Sequence, residues 1–196
     1  HEGSRPTVKQ HLAALRMMFD YLVTGGVLVV NPAASVKGPR YVMKTGKTPV
    51  LSGEEARQLI ESIEENSLLG LRDRALLGLM VYSFARVGAV VGMKVEDYYQ
   101  HGKRWWIRLS EKGGKFHEMP VHHKAEEYLD AYVTAAGIAL AKKSPLFRSG
   151  AGRSGVLSDK PLSRVDVFTM VKGRARAAGV SERIGCHTFR ATGITV

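Results

Sequence analysis

Three short runs in this 196-residue chain carry side chains whose types and spacing suit chemistry on an anion. The first is Tyr82-Ser83-Phe84-Ala85-Arg86, continuing through Val87 to Met93 and then Glu96-Asp97. The second is Lys112-Gly113-Gly114-Lys115-Phe116-His117-Glu118-Met119-Pro120-Val121, and the third is His187-Thr188-Phe189-Arg190. Arginine presents a planar, permanently charged fork that fits two oxygens at once, which lysine cannot match. A lysine gives up a proton more readily when neighbouring cations depress its pKa, and a histidine titrates near neutrality, so both suit proton transfer. His187 and Arg190 stand three apart, which puts them on one face of a helix. Taken singly, each run has an ordinary explanation. Arg86 could satisfy buried carbonyls, Lys-Gly-Gly-Lys is a common turn on basic surfaces, and His-x-x-Arg arises by chance.

The periodicity of apolar residues supplies the elements that must position these runs. Val8 to Tyr21 reads as an amphipathic helix closed by Gly25-Gly26, and Asn31-Pro32 opens a short turn or helix ending near Val36. Gly38 to Pro49 is basic and rich in breakers, as a linker is, and it carries Arg40, Lys44 and Lys47. Ser52 with Glu55 is a capping-box signature before a helix from Ala56 to Ile63. Gly70 to Tyr82 is apolar on most faces and predicts a buried helix, followed by a short one through Arg86 to Met93. The period then becomes extended: Val95–Tyr99, Arg104–Leu109 and Glu118–Val121 predict three short strands. Adjacent Trp105 and Trp106 must point to opposite sheet faces, one toward the core. A helix follows from Lys124 to Ala136, capped at Gly137. Lys142 to Lys160 reads as loop, and its glycine run lacks the Gly-Lys-Ser/Thr of a phosphate-binding loop. Ser163 caps a long helix to about Gly179, and a last helix begins at His187. The fold class expected is α+β, mainly α, with helices around a small three-stranded antiparallel sheet.

Composition narrows the partners. Lys and Arg total 29 against 18 Asp and Glu, a formal net charge of +11. Eleven basic and three acidic residues lie between Lys142 and Val196. Such a field attracts polyanions and suits a phosphate backbone. The single Cys186 excludes an internal disulfide and fits a reducing compartment. The start resembles no signal peptide, and no apolar stretch approaches the roughly 20 residues of a membrane span. A soluble, intracellular protein is the expectation.

The three runs together, in this order, resemble the tyrosine recombinases of the phage-integrase family. Ser83 to Arg86 is similar to the family's Thr-Gly-Leu-Arg turn, Lys112 to Val121 to its Lys-Gly-x-Lys-x-Arg-x-x-Pro-Leu hairpin, and His187 to Arg190 to its His-x-x-Arg box. The resemblance covers Leu51 to Val196 well and Val8 to Val36 more loosely. It implies three parts: 1–37, the end of a helical DNA core-binding domain; 38–50, a basic interdomain linker; and 51–196, a catalytic domain. It also implies a site-specific DNA strand transferase working through a 3′-phosphotyrosine. In that scheme Arg86 and Arg190 clamp the scissile phosphate as charge builds on its non-bridging oxygens. Lys112 protonates the 5′-oxygen leaving group and His187 serves as acid, base or oxygen donor. Lys115, His117, Arg40, Lys44 and Lys47 are the expected DNA contacts. The partners implied are double-stranded DNA and further copies of the protein, a tetramer on recombination sites, in the bacterial cytoplasm with the nucleoid. No metal or nucleotide is required, because the phosphotyrosine bond conserves the phosphodiester energy.

Two departures stand out. The family's acid three residues after the first arginine is replaced by Ala89. All seven tyrosines, Tyr21, Tyr41, Tyr82, Tyr98, Tyr99, Tyr128 and Tyr132, precede His187, whereas the family's nucleophile follows its His-x-x-Arg box. The expectation is a chain cut off before that tyrosine, able to grip DNA but not to cleave it. The alternatives are a catalytically inactive DNA-binding family member and a basic helical DNA-binding domain of another fold. His117, His122 and His123 lie close in sequence, yet no Cys or acid cluster with metal spacing accompanies them, which favours surface or DNA-facing histidines.

Overall fold

A computed structural model describes residues 3–42, 48–111, 113–152 and 154–195, with 193–195 described by backbone only. The chain divides into two compact units, His1–Gly46 and Lys47–Val196. In the first, Pro6 starts helix α1 (Arg5–Thr24), where a missing N–H costs nothing. The following turn is tied back by side chains. Asn31 Nδ2 donates to the Arg16 carbonyl at 3.1 Å, and Arg16 Nε donates to that of Ala33 at 3.2 Å. No described residue of α1 is buried, and Leu15, Met17, Met18 and Tyr21 are exposed. Of the expected linker, 43–47 lies outside the described residues.

The second unit begins with α2 (Gly53–Glu61), and its capping box forms as the sequence predicts. Glu55 N donates to Ser52 Oγ at 3.1 Å and Ser52 N to the Glu55 carboxylate at 2.8 Å. These hydrogen bonds, the backbone one first, hold the Glu55 carboxyl below its ordinary range. Helix α3 (Leu68–Ser83) is buried along most of its length, from Gly70 to Met80. Its neighbour α5 (His123–Ala136) comes so close that a Cβ at Gly78 would sit 2.6 Å from Tyr128 Cδ2. Between them run α4 (Val87–Val91), a 3-10 turn at Val95–Asp97, and the strands β1 (Tyr98–His101), β2 (Arg104–Glu111) and β3 (Lys115–Pro120). The strands form one antiparallel sheet with β2 in the centre.

The sheet departs from the sequence reading at its ends. Val95 to Asp97 turns instead of extending, because Asp97 Oδ2 accepts from Lys94 N at 2.8 Å and draws the chain into a 3-10 turn. Strands β2 and β3 run further toward the hairpin tip than apolar alternation indicated, pairing Ser110 with Phe116 and Glu111 with Lys115. Gly113 and Gly114 take φ +84° and +74°, the left-handed pair that a tight hairpin turn needs. Trp105 stacks on buried Tyr98 at 4.3 Å, while Trp106 meets His101 edge-on at 6.0 Å from the other face.

The stretch read as loop contains a second hairpin, β4 (Arg148–Gly150) with β5 (Leu157–Pro161). Its residues are polar and glycine-rich, so no apolar period marks them. Leu146 and Phe147, both fully buried, anchor it. Helix α6 (Arg164–Ala177) starts on a Ser163–Asp166 capping box, and α7 (Cys186–Thr195) buries Thr188 and Phe189. The core gathers α2, α3 and α5 with the inward sheet residues Tyr98, Ile107 and Leu109.

Candidate functional site

Helix α3 ends in a turn through Phe84, the only non-glycine residue with positive φ among those described, at +53°. That conformation costs a side chain with a Cβ roughly 1–2 kcal/mol, and such strain collects at functional sites. It delivers Arg86 to the N-cap of α4 with its side chain about half exposed. The Phe84 carbonyl accepts from Arg190 Nη1 of α7 at 3.2 Å, so the two distant arginines are tied through one turn.

Strand β2 supplies the counter-charge. Side chains alternate along a strand, so Ile107, Leu109 and Glu111 share the inward face. The first two are buried in the core, and Glu111 emerges where the core ends. Arg86 Nη1 donates to Glu111 Oε2, and Arg190 Nη1 lies 3.9 Å from Glu111 Oε1. The carboxylate sits deeper than its partners, 17% exposed against 48% for Arg86 and 35% for Arg190. On β3, Lys115 faces Glu111 and His117 faces Leu109 across the ladder. Arg86, Lys115, His117 and Arg190 thus line one open cleft of about 780 Å³. Two arginines and a lysine against a single carboxylate give this cleft a net positive formal charge among its described residues. Ala89 is buried. The acid beside Arg86 comes from the hairpin instead.

The other expected site residues lie elsewhere. His187 is exposed on the first turn of α7 and is not among the described residues lining the cleft. Arg40 belongs to the first unit. Lys44, Lys47 and Lys112 lie outside the described residues, although Lys112 stands in sequence between Glu111 and Gly113, which both line the cleft. His117 is parted from His122 and His123, which border an apolar pocket beyond Phe84 together with Tyr82 and Phe189. His122 is an N-cap as well as a surface residue. Its Nδ1 accepts from Lys124 N at 3.3 Å, and its ring stacks on Tyr82 at 4.1 Å. Desolvation, and then His123, push its pKa down. Among the described residues, no group of three His, Cys, Asp or Glu could hold a metal ion.

No tyrosine lines the cleft among the described residues. Tyr98 buries its ring and donates its hydroxyl to Asp130 Oδ1 at 2.7 Å. Burial first, and then this bond, push its pKa far up. Burial likewise raises Tyr82, Tyr99 and Tyr132, the opposite of what a nucleophilic phenol needs. The Cys186 thiol is also raised by burial, in keeping with a packing role.

Residues 49–195 match the family model described as the phage integrase family. The chain belongs to that family. It is 33% identical over 195 residues to the tyrosine recombinase XerC of Thermodesulfovibrio yellowstonii, covering 96% of this chain and 61% of that protein. It is 28% identical over 192 residues to the tyrosine recombinase XerD of Oceanobacillus iheyensis, covering 95% and 60%. The chain therefore spans less than two thirds of the length of these curated relatives. Among solved structures it resembles the XerH site-specific recombinase bound to a palindromic difH substrate. That match has a TM-score of 0.74 at 20% identity over 96% of this chain and 55% of that one. A lambda integrase dimer bound to a COC′ core site gives 0.71 at 18%, over 97% and 51%. Helices around a small antiparallel sheet are the tyrosine-recombinase catalytic fold. In this family member the residue that sequence reasoning missed is Glu111. Its signal was the strand's two-residue period, had β2 been carried on past Leu109.

Proposed function

We propose that this chain is the phosphate-gripping part of a site-specific DNA recombinase that breaks and rejoins duplex DNA through a 3′-phosphotyrosine. The observation that carries this reading is the convergence of Arg86 and Arg190 on the two oxygens of one carboxylate. Two guanidinium groups so placed suit two non-bridging oxygens of a phosphodiester, and they stabilise the added negative charge of a phosphorane-like transition state. When a tyrosine oxygen attacks the phosphorus, the 5′-oxygen leaves and takes a proton. Lys112 is the donor in this scheme, and His187 assists as acid, base or oxygen donor. Lys115 and His117 on the cleft wall, with Arg40, Lys44 and Lys47, contact the flanking backbone. Residues 1–37 serve as the end of a core-binding domain, and 38–50 as its linker. The net charge of +11 favours such contacts. No metal or nucleotide enters the scheme.

The relatives named XerC and XerD and the DNA-bound XerH and lambda integrase structures support this reading. A lambda integrase tetramer on a Holliday junction supports self-association on the site, and the bacterial cytoplasm with its nucleoid would be the setting. No helix of the described residues is long and apolar enough to cross a membrane. With no tyrosine lining the cleft among the described residues and the phenols of Tyr82, Tyr98, Tyr99 and Tyr132 raised by burial, these 196 residues should grip DNA without cutting it.

Duplexes selected by the protein from a random pool provide the test. Arg190→Ala should weaken binding roughly tenfold or more, the worth of a charge-assisted hydrogen bond. Equal affinity of mutant and parent across a salt series would remove Arg190 as a clamp. Nicked suicide versions of the same duplexes should yield no covalent protein–DNA adduct. An adduct would overturn the non-cleaving assignment.

A further inference from the structure

Glu111 occupies the place where the proposed clamp would hold its phosphate. It gives one oxygen to each arginine: Oε2 accepts from Arg86 Nη1, and Oε1 lies 3.9 Å from Arg190 Nη1. A carboxylate and a phosphodiester offer guanidinium forks the same kind of oxygen pair. Strand parity fixes the Glu111 side chain on the inward face, beneath both arginines, at the last residue of β2 before the Gly113–Gly114 turn. Arg86 and Arg190 are brought together from the two ends of the Phe84 contact, and two bare guanidinium groups so close would repel. A single anion between them relieves that repulsion. With Ala89 where the family has its acid, the hairpin is the source of that charge.

We infer that Glu111 is a placeholder anion: in the free protein it holds Arg86 and Arg190 converged, and an incoming phosphate displaces its carboxylate. This rests on the phosphate-clamp reading and deepens it. The displacement moves charge, not covalent bonds. Among the described residues, the charged and titratable groups lining the cleft with Glu111 are Arg86 from the turn after α3, Arg190 from α7, and Lys115 and His117 from β3. Two arginines and a lysine stand against the one carboxylate, so the cleft keeps a formal positive charge to hold a phosphate once the carboxylate has swung aside. The placeholder therefore lowers the clamp's apparent affinity, and removing its charge should raise it.

Inorganic phosphate is the probe, titrated at constant ionic strength into the full 196-residue protein. Amide shifts of residues 84–90 and 109–117 report on the cleft. Glu111→Gln keeps the shape and an acceptor but loses the charge, and it should bind phosphate roughly tenfold more tightly than the parent, as expected for removing a like charge at contact range in a site open to solvent on one side. Glu111→Asp keeps the charge and should remain as weak as the parent. The gain in Glu111→Gln should vanish when Arg190→Ala is added.

If Glu111→Gln binds phosphate equally or more weakly while Arg190→Ala still abolishes binding, the clamp stands and the placeholder is overturned. That result would make the ion pair a simple structural contact. If phosphate perturbs the cleft equally in parent, Arg86→Ala and Arg190→Ala, the clamp reading itself fails. Thermal melting checks each variant, and Glu111→Ser provides the same neutral test should Glu111→Gln not fold.

Discussion

Two places in the larger unit set one carboxylate between two arginines, and they put it to opposite uses. Asp73 on α3 is buried, at 3% exposure. Its Oδ1 accepts from Arg72 Nε and Nη2 at 3.0 and 2.6 Å, and its Oδ2 from Arg174 Nε and Nη2 at 3.1 and 2.7 Å. Arg72 Nη1 then donates to the Arg148 carbonyl at 3.0 Å, so α3, α6 and β4 are fastened together. Every oxygen there is used twice by a matching fork. Glu111 differs: each oxygen meets one arginine by a single nitrogen, and both arginines keep donors toward solvent. The same residue types make a fastener where burial saturates them and leave donors over where they are exposed.

The largest test of this contrast is Asp73→Asn. It leaves Arg72 and Arg174 without their charge partner, and loss of one member of a buried ionic group costs about 3–5 kcal/mol. Urea denaturation should show that loss, and a change under 1 kcal/mol would erase the distinction between the two groups. Arg190→Ala should do the reverse. It should cost under about 1 kcal/mol of stability, since its ion pair is long at 3.9 Å, reaches solvent and leaves Glu111 paired with Arg86, while DNA grip falls. The turn between the arginines comes next. Phe84→Gly and Phe84→Ala lose the same ring, but only glycine escapes the left-handed strain, so it should be the more stable by about 1 kcal/mol. Equal melting of the two would show that the turn relaxes at no cost.

The smallest effect belongs to a third contact whose two side chains are both about half exposed, Arg108 Nε to Glu118 Oε1 at 2.8 Å on the sheet's outer face. The Arg108 hydrogen bond, followed by that of Tyr99, holds the Glu118 carboxyl below its usual range. A depressed carboxylate contributes stability that is complete above its unfolded pKa and is lost as pH falls through the folded one. Arg108→Ala should therefore flatten the acid limb of stability only slightly, in melts from about pH 6 to about pH 3. A large effect would contradict the ordering by burial.

The sequence made the arginines of the cleft visible because a guanidinium fork has few substitutes, and it made α5 visible because Gly137, at φ +63°, is a strong stop. It hid Glu111 for a physical reason. The residues from Ser110 to His117 look like turn by composition, and only cross-strand pairing extends β2 far enough for parity to turn the carboxylate inward. The β4–β5 hairpin was hidden likewise, since short polar strands carry no period. His122 as an N-cap was missed because imidazole is a weak signal for that role next to the Ser52 and Ser163 hydroxyls. The family was legible throughout; the carboxylate between the two cleft arginines was not.

The close approach of α3 and α5 has an evolutionary consequence. Because a Cβ at Gly78 would stand 2.6 Å from the Tyr128 ring, while Arg74 lies over that ring at 4.5 Å, the identities of 74, 78 and 128 are not independent. A lineage can enlarge residue 78 only after residue 128 has shrunk, and a smaller residue 128 leaves the Arg74 cation without its aromatic face. The three positions should drift as one.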